Sequence, residues 1–118
     1  MPVLHYRELH AWQRAMDLVE AVYLLSSGFP DDERFGLTNQ IRRAAVSVPS
    51  NIAEGQGRAS TAEFLNFLSI ANGSRQEVET QAMIAVRLGF VPQSDAADVL
   101  ALAEETGRLI AGLTRSLS

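Results

Sequence analysis

From Ser60 to Leu88 the chain runs for about 29 residues without a proline, and this run confines the fold more than any other feature. At 1.5 Å per residue it predicts a rod of roughly 43 Å. The run opens on Ser60-Thr61-Ala62-Glu63, the spacing of a capping box, in which serine and glutamate satisfy each other's free N–H groups. It closes at Gly89, with Pro92 as breaker and Ser94 placed to cap the next helix. Upstream, Leu9, Trp12, Met16, Val19 and Tyr23 recur at helical spacing, which predicts one apolar stripe on a first helix from about Glu8 to Ser27. Gly28 and Pro30 end that helix, and Asp31, Asp32 and Glu33 suit the positive N-terminal end of a second. The second helix carries Leu37, Ile41, Ala44, Val48 and Ile52 and stops where two glycines, Gly55 and Gly57, allow the chain to reverse. A fourth helix places Ala96, Val99, Leu100, Ala103, Gly107, Ile110, Leu113 and Leu117 close to one face. No segment alternates as a strand would. The expectation is an all-α fold, residues 1–118 as a single domain, arranged as an antiparallel up-down-up-down four-helix bundle.

Composition narrows the function classes. The 118 residues are 47% hydrophobic and 20% charged, ordinary for a soluble globular chain. No apolar stretch approaches the ~20 residues of a membrane span, and the N-terminus lacks a signal-peptide core, so the expected location is cytoplasmic. Without cysteine there is no disulfide, thiol nucleophile or thiolate metal site. A net charge of −4 argues against a surface that grips nucleic acid as a whole. All ten basic residues are arginines.

Catalytic readings find little support. His5 and His10 are the two histidines, and on a helix they would point about 140° apart. No Glu-x-x-His pair of a di-iron bundle occurs, and Glu77 and Glu79, two apart, face different directions. The glycines of Glu-Gly-Gln-Gly-Arg follow a helix rather than a strand, which removes a phosphate-binding loop. No catalytic residue, metal, cofactor or small-molecule substrate is expected.

The second helix carries a second stripe, and it is polar. Arg43, Ser47, Asn51, Glu54 and Arg58 follow at spacings of four, four, three and four. Within it Pro49 withholds the N–H that would bond the Ala45 carbonyl, which predicts a kink in one continuous helix. Ser47, Ser50 and Asn51 are placed to satisfy the freed backbone groups. Alternatively Arg43 and Arg58, with Arg42, present guanidinium groups to phosphate or a partner carboxylate. A third expectation has Glu54 pair with an arginine to hold the end of this helix against another.

The stretch "QIRRAAVSVPSNIAEGQGR", with "EFLNFLSIANGSRQEVETQ" and the early "LHAWQRAMDL", resembles the four-helix-bundle family of bacterial 23S rRNA intervening-sequence proteins over about residues 6 to 117. The matching positions are Arg43, Ser47, Pro49, Asn51, Glu54, Gly55, Gly57 and Arg58, then Gly73, Ser74, Glu77, Glu79 and Gln81. The resemblance implies a ring-shaped homo-oligomer, a homopentamer. It also implies a likeness to retroelement accessory bundles that bind RNA or DNA; those relatives are basic, whereas this chain is acidic. On the third helix Phe64, Leu65, Phe67, Leu68, Ile70 and Ala71 span an arc of roughly 220°, wider than one core stripe. Either part of that arc meets another subunit or the helix touches several neighbours within the chain. The reading is a non-enzymatic homo-oligomeric scaffold. The alternative is a nucleic-acid-binding accessory protein using arginine clusters.

Overall fold

The computed structural model describes residues 5–118, and the clearest local start and stop are those of its third helix. A 3-10 turn at Tyr6–Glu8 precedes α1 (His10–Ser26), and a second at Asp31–Glu33 precedes α2 (Leu37–Gln56). Helices α3 (Thr61–Arg87) and α4 (Gln93–Leu117) complete the order. Ser60 Oγ accepts the Glu63 N–H at 3.1 Å, the cap its sequence predicts. At the far end of α3, Gly89 adopts φ +76°. The Phe90 N–H then reaches the Ala85 carbonyl (2.9 Å) and the Gly89 N–H the Val86 carbonyl (3.0 Å), a Schellman closure that a side chain on residue 89 would strain.

Two expected starts shift. Asp31–Glu33 form their own turn rather than the first turn of α2, yet Glu33 Oε1 still accepts the Leu37 N–H at 3.0 Å. The carboxylate therefore caps α2 from outside it. Pro92, extended at φ −72° and ψ 155°, takes the N-cap position of α4, so Ser94 lies inside the first turn and caps nothing.

Helix α1 packs beside α2 and α4, and α3 packs beside the same two, so the four stand at the corners of a square. Ser47 meets Ser74, Gly55 meets Phe67 and Phe64, and Gly107 meets Arg75, which sets neighbouring helices antiparallel. The bundle measures 49 × 24 × 19 Å, and there is no strand among the described residues. Helix α2 is continuous through Pro49 rather than split in two. Ser50 Oγ donates to the Val46 carbonyl and Asn51 Nδ2 to the Ser47 carbonyl, both at 2.8 Å. Neither acceptor is the Ala45 carbonyl that Pro49 leaves without its N–H, so these side chains bond the backbone beside the proline rather than the freed group.

The core divides into two apolar clusters along the bundle axis. One gathers Leu18, Val22, Leu25, Ile41, Val78 and Val99; the other gathers Ala15, Val48, Ile52, Leu68 and Ile110. Burying each large aliphatic side chain contributes about 1.5–3 kcal/mol. Many buried positions are alanines (Ala11, Ala15, Ala45, Ala71, Ala82, Ala85, Ala96, Ala103), which lets the helices approach closely. This corrects the expected face of α1. Ala11, Ala15, Leu18 and Val22 point inward, while Met16 and Tyr23 stay 42% and 43% exposed.

Candidate functional site

The polar stripe of α2 resolves into parts with different work. Ser47 Oγ and Ser74 Oγ share a hydrogen bond of 2.8 Å across the α2–α3 seam, and Asn51 Nδ2 donates to Ser47 Oγ at 2.8 Å. Ser74 is buried, so this pairing satisfies a hydroxyl that would otherwise sit unbonded at the seam. One turn further on, Gly55 is buried against Phe67 and Phe64 of α3. Its missing side chain is a packing requirement, not a means of reversing the chain. Gly57 alone forms the helix end.

Within the chain Glu54 pairs with Arg58 rather than with a residue of another helix. Glu54 and Arg58 pair at 2.5 Å within one stretch of chain, four residues apart, and both side chains are about half exposed. The spacing that places them on one stripe also lets them satisfy each other, so the carboxylate makes no ion pair with a second helix among the described residues. Arg58 touches α3 by another route, its guanidinium carbon lying 4.7 Å from the centre of the Phe67 ring. Because exposed pairs at this spacing contribute about 0.3–0.5 kcal/mol, Glu54→Ala is expected to move the urea midpoint barely at all. A loss above about 1 kcal/mol in equilibrium unfolding would restore the clamp.

Nor is Arg42 the free cation of the earlier expectation. Its Nε donates to Ser26 Oγ at 2.8 Å, and its guanidinium stacks on Tyr23 at 4.5 Å, tying α2 to the end of α1. Arg42, Arg43 and Arg34 nonetheless line one groove with Tyr23, and among the described residues no carboxylate lines it. Arg58 lies at the opposite end of α2 and does not join them. Sequence reasoning missed Arg75. It pairs with Glu79 at 3.1 Å, with side chains only 13% and 26% exposed, and its guanidinium covers Gly107 of α4. The spacing of four between Arg75 and Glu79 was the available signal.

Most of the wide apolar arc of α3 is consumed inside the chain. Leu68 and Ala71 enter the core, Phe64 and Phe67 meet α2, and Leu65 borders α4; Ile70 remains 45% exposed. Further along, Met83, Ile84 and Leu88 are also exposed. Between α2 and α3 runs an open groove bordered by Gln40, Arg43, Glu77 and Gln81. Gln81 Oε1 is buried there without a hydrogen-bond partner. Arg43 and Glu77 line the same groove, yet neither makes an ion pair among the described residues. Gly73 borders the groove beside Glu77, and a Cβ there would meet nothing within 4 Å. A mid-helix glycine costs about 0.5–1 kcal/mol relative to alanine. Among the described residues no neighbour comes close enough to require it.

Among the described residues no three histidine or acidic side chains converge as metal ligands, and His5 Nδ1 accepts the Arg7 N–H at 3.3 Å. Among the described residues no helix is long and apolar enough to cross a membrane. The sequence model of a family described as "23S rRNA-intervening sequence protein" matches residues 7–112. Among curated proteins none matches. A solved structure is similar in fold: a crystal structure of a protein of unknown function from the S23 ribosomal protein family of Bacteroides thetaiotaomicron. It is 20% identical, with a TM-score of 0.81 over 88% of this chain and 97% of that one.

Proposed function

The chain belongs to the 23S rRNA-intervening sequence protein family, and from that premise we propose that it is a non-catalytic, cytoplasmic scaffold that assembles with itself into a ring of five. The α3 surface carries this reading. Ile70, Met83, Ile84 and Leu88 are exposed along a helix whose mid-point glycine has no packing role in its own chain. Exposed apolar groups gathered along one element mark a surface that another molecule covers. Sedimentation equilibrium tests it, with an expected mass five times the 12.9 kDa of the chain. A single-chain mass across the micromolar range would reject the scaffold.

A second reading rests on the α1–α2 groove. Arg34, Arg42 and Arg43 line it with Tyr23, giving local positive charge to a chain that is acidic overall. Such a groove suits the phosphates of RNA or DNA. Arg43→Ala is expected to weaken binding of a mixed-sequence RNA oligonucleotide and to flatten its salt dependence by about one unit of slope. Binding that is independent of salt, or absent at low salt, would reject this reading.

A further inference from the structure

We propose that α3 of one copy packs at Gly73 against α2 of the next, with Glu77 of the first copy paired to Arg43 of the second. This rests on the self-assembly proposed above and assigns it a contact. Charge complementarity identifies the occupant. On α2, Arg42 is held by Ser26 and Tyr23 and Glu54 by Arg58, so Arg43 is the charge left without a partner among the described residues. In the middle of α3, Arg75 and Glu79 hold each other, so Glu77 is left in the same way. Within one chain the two line a common groove without meeting. An exposed cation on one helix and an exposed anion on its neighbour form a matching pair when a second copy supplies the other half.

Gly73 provides the room. It precedes Glu77 by four residues and stands on the same side of α3, bordered by Gln76 and Thr80. The absent Cβ lets a neighbouring backbone approach closely, as helix–helix contacts at small residues do. Exposed Ile70 on α3 and Val46 on α2, each three residues from the glycine or the arginine, add an apolar margin to the two faces. Arg43 and Val46 also border the groove on the α1 side with Tyr23, whereas Gly73 and Glu77 border the α2–α3 groove. A head-to-tail contact that repeats around a ring must therefore approach the cation from the α1 side and the anion from the α3 side.

The test uses the full chain in sedimentation velocity across a concentration series, with Arg43→Glu, Glu77→Arg and the double variant. Each single reversal is expected to weaken association by about a hundredfold, since it sets like charges together, and the double reversal to restore it. Helical content by circular dichroism should match the parent in all three, because neither side chain makes an ion pair among the described residues of its own chain. If the parent itself sediments as a single chain, the scaffold reading fails and this contact with it. If the parent assembles and the single reversals assemble equally well, the scaffold stands and this contact is wrong. Singles that dissociate without recovery in the double would overturn the pairing of Arg43 with Glu77. Gly73→Leu supplies an independent check: it should block assembly, and unchanged assembly would remove the close approach.

Discussion

Replacing Gly55 with leucine is expected to destabilise the bundle by about 3 kcal/mol or more, and even Gly55→Ala by about 1–2 kcal/mol. An added Cβ would lie 2.6 Å from Phe67 Cβ, 3.0 Å from Phe64 Cδ1 and 3.4 Å from the Phe64 carbonyl oxygen. The nearest of these atoms is fixed to the α3 backbone, so rotating a ring cannot relieve the clash. The two helices must separate, which loosens the cluster around Val48, Ile52 and Leu68. Against this stands the helix preference for alanine, about 0.5–1 kcal/mol, which offsets only part of the cost. Gly73→Ala is the control, since its Cβ would meet nothing within 4 Å. In chains diluted below any self-association, that substitution should stabilise by about 0.5–1 kcal/mol. Equilibrium urea unfolding of the two variants reads the contrast directly. Equal and positive effects would mean that α2 and α3 are not in close approach at Gly55.

Helix boundaries were legible in this sequence because the chemistry that sets them is local. Ser60 caps α3 and Gly89 closes it within a few residues of where each is written. Which face of α1 turns inward was not legible in the same way. Leu9, Trp12 and Val19 are half-buried against the core while Met16 and Tyr23 stay exposed, so the apolar stripe drawn through the bulky residues is offset from the buried face of Ala11, Ala15, Leu18 and Val22 rather than centred on it. Closely spaced helices bury alanines beside aliphatic residues such as Leu18 and Val22, so side-chain size alone does not mark the inward face. The stripe of α2 shows the same limit from the polar side. Its members were found by spacing, but spacing cannot say whether Glu54 reaches another helix or folds back on Arg58. Ser47 and Ser74, separated by 27 residues, both stood out in the sequence, yet their bond exists only because α2 and α3 run antiparallel. The candidate contact at Arg43 and Glu77 depends on what their neighbours have already claimed, which no one-dimensional pattern records.

The orientation of α1 gives the last prediction. Leu18→Ala should cost about 2–5 kcal/mol, because a fully buried side chain is removed from the larger apolar cluster and its neighbours Val22, Ile41 and Val99 cannot all close the gap. For a chain of this length that corresponds to a fall in melting temperature of about 8–20 °C. Met16→Ala removes a side chain that is 42% exposed and should cost no more than about 1 kcal/mol in the dissociated chain. Had the stripe through Trp12, Met16 and Tyr23 faced inward, the order would be reversed, since Leu18 would lie on the flank. Thermal melts at several protein concentrations separate the two contributions. A Met16 effect that grows with concentration would place this residue at a contact between copies, and a large effect that persists on dilution would turn α1 back onto the face that its bulky residues suggested.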